Sequence, residues 1–189
     1  MDDLQVLLLP GWQDSGPDHW QSRWEQRHGF TRVQQDDWLW PRRGDWMAQL
    51  EETVLQAHGP LLLAAHSLGC QLAAAWAAHS QHAQRVVGAL LVAPPDVERA
   101  DMPPNLYSWR PMVRRRLPFA ALAVVSGDDP FCTPARAAGM AADWGAELVM
   151  LGDAGHINAE SGLGDWAQGL ELLRRVAVAG GLSPTIAPW

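Results

Sequence analysis

Short apolar runs recur along the chain at Leu4–Leu9, Thr31–Gln35, Leu61–Ala65, Val86–Val92, Leu122–Ser126 and Leu148–Leu151. None alternates cleanly between apolar and polar positions, so each is expected to be a strand covered on both faces. Helical patterns lie between them. Trp20–Arg27 is a short one. Trp46–Ala57 puts Trp46, Leu50, Val54 and Ala57 on one face, at spacings of four, four and three. Gly69–His79 is rich in Ala. Pro134–Trp144 begins with Pro at a position suited to a first helical turn. Trp166–Val178 follows Asp165, a residue type that caps helix N-termini. Strand and helix alternating from end to end predict an α/β protein: a mostly parallel sheet of about six strands with helices on both faces. With no internal repeat and no linker-like stretch, residues 1–189 read as one domain.

Two stretches break the alternation. Residues 94–118 contain Pro94, Pro95, Pro103, Pro104, Pro111 and Pro118 and the run Arg114-Arg115-Arg116. They follow a strand and so belong over the carboxyl edge of the sheet, where open α/β proteins bind ligands. A small cap or substrate loop and a long surface connection with a crossover helix explain them equally well. The tail, 180–189, carries two Gly and two Pro and is expected to be irregular.

The carboxyl ends of the expected strands carry the candidate chemistry. Leu61–Ala65 runs through His66 into Ser67-Leu68-Gly69 and then a helix. A serine on so sharp a strand-to-helix turn requires small residues two positions before and after, and Ala65 and Gly69 are small. The Leu68 N–H would then open the helix, where a developing oxyanion is favoured. The first strand ends in Pro10-Gly11-Trp12, and the Trp12 N–H is the candidate second oxyanion donor, since glycine lets the backbone come close. The strand at Leu122–Ser126 ends in Gly127-Asp128-Asp129-Pro130, and the strand at Leu148–Leu151 ends in Gly152-Asp153-Ala154-Gly155-His156. The order Ser, Asp, His is that of α/β-hydrolases and of neither chymotrypsin nor subtilisin. Both Asp128 and Asp129 could orient His156. Asp129 is preferred because Pro130 restricts its backbone; Asp128 is then solvated or bonded within its own loop, with Asp153 next in line.

Other histidines compete poorly. His19, His28, His58, His79 and His82 lie in helical or surface-like contexts without acidic or cysteine partners at metal-ligand spacing. His66 is expected to pack beside the turn. Trp12 and Trp109 are the candidates for pocket walls, and most of the 11 Trp are expected in the core.

Composition narrows the classes. All 14 basic residues are Arg. Lacking Lys, the chain has no P-loop lysine, no Schiff-base amine and no Ser-Lys dyad. A formal net charge of −7 argues against nucleic acid or an anionic membrane as partner. Cys70 and Cys132 form no CxxC pair and read as inert thiols, and no metal site is expected. Met1-Asp2-Asp3 runs directly into an apolar stretch too short for a signal peptide, so a cytoplasmic location is expected.

Together, the Pro10-Gly11 loop, the early Trp20 and Trp24, His66-Ser67-x-Gly69, Asp128-Asp129-Pro130-Phe131 and Gly155-His156 resemble the small serine hydrolases grouped with retinoblastoma-binding-protein-nine and YdeN. Several relatives carry Gly where this chain has Ala65. The resemblance covers most of the chain and implies a compact hydrolase without a large cap, with Ser67, Asp129 and His156 as catalytic triad. The expected activity is cleavage of a small-molecule ester or related acyl bond, with no cofactor. Two alternatives stand beside it: a protein-interaction module on a hydrolase scaffold, and a peptidase or thioesterase using the same triad.

Overall fold

The computed structural model describes residues 4–185 and Trp189; the Met1-Asp2-Asp3 start and residues 186–188 of the expected irregular tail lie outside the described residues. Among the described residues, six strands, β1 (Gln5–Leu9), β2 (Thr31–Arg32), β3 (Leu61–His66), β4 (Val86–Val92), β5 (Ala120–Val125) and β6 (Glu147–Met150), form one sheet in the order β2-β1-β3-β4-β5-β6. Every neighbouring pair is parallel. The same residues form five α-helices: α1 (Trp20–His28), α2 (Arg43–Gln56), α3 (Leu68–His79), α4 (Pro134–Trp144) and α5 (Ala167–Ala179). Among the described residues, no helix is long and apolar enough to cross a membrane.

The continuous apolar runs are explained by burial on two sides. Along β1, Leu7 and Leu9 join the core beneath α2, α3 and α4, whereas Val6 and Leu8 join the core beneath α1 and α5. The same division holds for Leu61, Leu63 and Ala65 against Leu62 and Ala64 on β3. Aromatic rings fill both layers. Trp20, Trp24 and Trp166 cluster on the α1 side with centroids 4.6–5.9 Å apart, within the range of favourable aromatic pairs. Trp46 meets Trp109 edge-on at 5.5 Å on the other side.

Three local expectations are corrected. β2 stops at Arg32 instead of Gln35, because after the Val33 N–H bonds the Leu8 carbonyl the chain leaves the sheet. β6 is not covered on both faces: it is an edge strand, and Leu148 and Met150 are 38% and 50% exposed. Asp165 does not cap α5. Its carboxylate pairs with Arg23 and Arg27 of α1 at 2.7 Å each, and Trp166, in a left-handed conformation, takes the cap position.

Residues 94–118 hold no α-helix and one 3-10 turn, Pro104–Trp109. The segment is fastened along its length. Val97, Leu106, Trp109, Met112 and Leu117 are buried in the α2–α4 core. Asn105 donates to the Leu39 carbonyl, Arg114 pairs with Glu98 and Asp143, and the Leu117 N–H donates to the Trp144 carbonyl.

Candidate active site

The strand-to-helix turn at Ser67 has a shape that few sequences tolerate. Ser67 sits at φ 53° and ψ −123°, a strained region for a residue with a side chain. Two neighbours make the turn possible. Gly69 lies so close to β1 that a Cβ would fall 2.1 Å from the Leu9 carbonyl oxygen, and only glycine fits there. At Gly11 a Cβ would fall 2.8 Å from Ser67 Cβ and 3.3 Å from Leu68 N. The loop after β1 is therefore pressed against the serine and against the first N–H of α3, which has no carbonyl one turn earlier to bond.

That loop is held from behind. Gln13 and Asp14 are both left-handed, at φ 69° and 63°. Arg32, its side chain only 8% exposed, pairs with Asp14 at 2.5 Å and with Glu25 at 2.7 Å, and also donates to the Ser15 carbonyl. Gln21 is fully buried and donates to the carbonyls of Leu9 and Ala64, joining the carboxyl ends of β1 and β3. The half-buried Trp12 indole donates to the Leu39 carbonyl at 3.1 Å.

On the opposite side the loops after β5 and β6 bring an imidazole and a carboxylate to the serine. The Ser67 hydroxyl donates to His156 Nε2 at 2.8 Å. His156 Nδ1–H donates to both oxygens of Asp129, at 2.9 and 3.0 Å. These bonds place the imidazole proton on Nδ1 and the lone pair toward the serine. The side chains of Asp129 and His156 are 3% and 10% exposed. Asp129 Oδ1 also accepts the Phe131 N–H, and the Phe131 ring stands edge-on to the imidazole at 4.6 Å.

Asp128 corrects the sequence reading. It is neither simply solvated nor confined to its own loop. One oxygen accepts from the Ser126 hydroxyl at 2.7 Å and from the Gly155 N–H at 2.8 Å, so it ties the acid loop to the histidine loop. The Ser126 hydrogen bond, followed by that of the Gly155 N–H, lowers the Asp128 carboxyl below its ordinary value. Asp153 is exposed and lies beside Gly127, away from the imidazole contacts of Asp129.

Two histidines are buried beneath this flank. His66 is 5% exposed, and its Nε2 bonds the His156 carbonyl at 2.9 Å. His19 is 4% exposed and packs edge-on against His66 at 4.5 Å, its Nδ1 accepting the Gln21 N–H. Burial, reinforced by Arg32 and His156, lowers His19 to about 3. Burial likewise holds His66 well below the usual imidazole value. His82 bonds Glu51 at 2.6 Å in a separate cluster with Trp76 and Ser80.

Trp109 does not wall a pocket. It is 1% exposed and donates to the Pro41 carbonyl, which anchors the 94–118 segment to the chain before α2. A cleft of about 510 Å³ instead opens beside His156, lined by Pro130, Phe131, Asp153, Asn158 and Glu160 among others. Burial pushes the Cys70 thiol well up and the Cys132 thiol up to about 12, so neither is a thiolate at neutral pH. Among the described residues, no three His, Cys, Asp or Glu side chains are grouped to hold a metal ion.

Known proteins share this architecture. The family model described as serine hydrolase matches residues 6–175. A YdeN-like hydrolase from Pectobacterium atrosepticum superposes with a TM-score of 0.80 at 32% identity, over 94% of this chain and 91% of that one. The ydeN gene product of B. subtilis gives a TM-score of 0.63 at 20% identity, over 86% and 91% of the two chains. A Bacillus cereus carboxylesterase shares the fold at 17% identity with a TM-score of 0.55, over 82% of this chain and 81% of that one. No curated protein matches the chain in sequence.

Proposed function

The chain belongs to the serine hydrolase family, among its YdeN-like members, and from that premise we propose that it cleaves small-molecule esters or related acyl bonds with Ser67 as nucleophile, His156 as general base and Asp129 as orienting acid. The observation that carries the reading is the unbroken hydrogen-bonded chain from Ser67 through His156 to Asp129. His156 Nε2 takes the hydroxyl proton as Ser67 Oγ attacks the acyl carbon. The N–H groups of Trp12 and Leu68 receive the oxyanion, and Asp129 stabilises the imidazolium. His156 then returns the proton to the leaving alcohol. Water, deprotonated by the same imidazole, releases the acyl group and restores Ser67. These steps close without a metal or an organic cofactor.

Acyl groups of small or medium size and apolar character suit the site best. What supports this is the 94–118 segment, which is tied into the core and adds no helical cap. The test is a panel of p-nitrophenyl esters from short to long acyl chains, run beside Ser67→Ala and with a fluorophosphonate label. Turnover should favour the shorter chains, and label should appear on wild type alone. Equal labelling of Ser67→Ala would overturn the serine mechanism, and rapid cleavage of long-chain triglyceride emulsions would overturn the acyl preference.

A further inference from the structure

The turn that carries His156 is strained on its far side. Ile157 is fully buried and has φ 49°, a conformation that a β-branched residue adopts only where its surroundings impose it. Two buried ring N–H groups supply the constraint. The Trp20 indole donates to the Ile157 carbonyl at 3.0 Å. His66, whose Nε2 lies 2.9 Å from the His156 carbonyl, donates to it. The bonds from Ser126 and Asp128 hold Ala154 and Gly155, which precede His156. Trp20 and His66 hold His156 and the residue after it.

We propose that His66 and Trp20 are positioning residues of the reaction: by gripping two successive carbonyls they keep the strained turn in the one arrangement that points His156 Nε2 at Ser67 Oγ. The inference rests on the hydrolase reading given above. His66 suits the task by its place and its state. It directly precedes Ser67, so one short stretch of chain carries the nucleophile and grips the base. Its only proton must sit on Nε2 for the bond to form, and burial keeps the ring neutral. His19, edge-on at 4.5 Å, and Trp20, perpendicular at 6.1 Å, pack against the ring. His66 acts on the base through the His156 carbonyl and through its own ring, which packs against the His156 imidazole at 4.9 Å; Trp20 acts one residue further on, through the Ile157 carbonyl.

The test uses the full chain with His66→Leu, which removes the donor, His66→Gln, whose amide N–H reaches the place of Nε2, and Trp20→Phe, which removes only the indole N–H and the second ring. Each is measured for kcat and KM on p-nitrophenyl butyrate and for fluorophosphonate labelling rate per titrated serine, well below its own Tm. Misplacing a base by about 1 Å costs on the order of 10²-fold in rate. His66→Leu should therefore lose about 10- to 100-fold in kcat and in labelling rate per site, with KM within about twofold. His66→Gln should recover to within about fivefold of wild type, and Trp20→Phe should lose about three- to tenfold. A purely structural role would lower the number of titratable sites and the Tm and leave the rate per site unchanged. The proposal is overturned if His66→Leu labels within twofold of wild type, or if His66→Gln is as slow as His66→Leu. Should His66→Leu not fold, Trp20→Phe decides, and a per-site rate equal to wild type overturns the proposal. Failure of wild type itself to label would instead sink the hydrolase reading, a result distinct from equal labelling by all proteins.

Discussion

Ser67 stands between two flanks that are built by different physics. On one side, the Gly11–Trp12 loop is set by contact: backbone pressed on backbone, with space for no Cβ at Gly69 or Gly11. On the other, the His156 loop is set by polar bonds to Asp128, Ser126, His66 and Trp20, and Asp129 by the Phe131 N–H. The difference follows from what each flank presents. Backbone N–H groups have no rotamers, so steric confinement is enough to aim them. An imidazole has a χ1, a χ2 and a tautomer, and each needs its own hydrogen bond. One consequence is that the contact flank should fail all at once when a methyl is added, whereas the polar flank should fail in steps.

Ser67→Ala is the largest expected effect and belongs to neither flank. It should keep the fold and lower turnover by about 10⁴- to 10⁶-fold; circular dichroism beside an ester assay checks both. On the polar flank, Asp129→Asn should lower kcat by about 10²- to 10⁴-fold by mis-setting the imidazole tautomer. Steady-state kinetics of the folded variant reads this directly, and a loss under fivefold would remove Asp129 from the assignment. Gly11→Ala attacks the contact flank. Its new methyl meets Ser67 Cβ, and displacement of one oxyanion donor should cost about 10²- to 10³-fold in kcat. If Gly11→Ala is fully active, the contact flank is softer than its distances imply. Asp128→Asn should cost less than about tenfold. The amide oxygen can still accept from Gly155, and only a bond to charge becomes a bond to a neutral group. Comparing the two aspartates in one assay separates the group that touches the base from the group that holds its loop.

Acidification gives the smallest and most one-sided effect. His19 and His66 are buried neutral, with folded-state values lowered to about 3 and well below 6.5. The unfolded chain therefore binds more protons than the folded one as pH drops below about 6.5. The stability these residues contribute is complete above that value and is lost progressively toward pH 3. Between pH 7 and pH 5 the buried His19 should cost about 2 kcal/mol, and His66 adds to the loss in the same direction. Urea denaturation at the two pH values measures this, and His19→Gln should flatten the slope. An unchanged midpoint would show that these rings take up protons freely in the folded state.

Element positions and the residues of the Ser–His–Asp chain were legible in the sequence for local reasons. A strand buried on both faces must be continuously apolar. A nucleophile on a sharp turn must have small residues at Ala65 and Gly69. A loop at the carboxyl edge can present Asp129 or His156 wherever the neighbouring strand ends. All of this is written within a few residues of each group. The choice of Asp129 also leaned on Pro130, again a neighbour. What the tertiary structure alone decided are bonds between parts distant in the chain. Asp128 reaches Gly155, His66 reaches the His156 carbonyl, Trp20 reaches Ile157, and Arg32 braces the oxyanion-side loop through Asp14 and Glu25. Trp109 likewise has the sequence setting of a pocket wall, yet its indole bonds Pro41 across the α2 side. None of these has a local signature, because a buried polar group requires only that some partner arrive, and the sheet order determines which partner does. The sequence by itself placed a serine, a carboxylate and an imidazole at the carboxyl ends of three strands. The packing of α1 and of the β5 and β6 loops around β3 decided how firmly those groups are aimed, because orientation depends on hydrogen bonds that close only when the whole sheet is assembled.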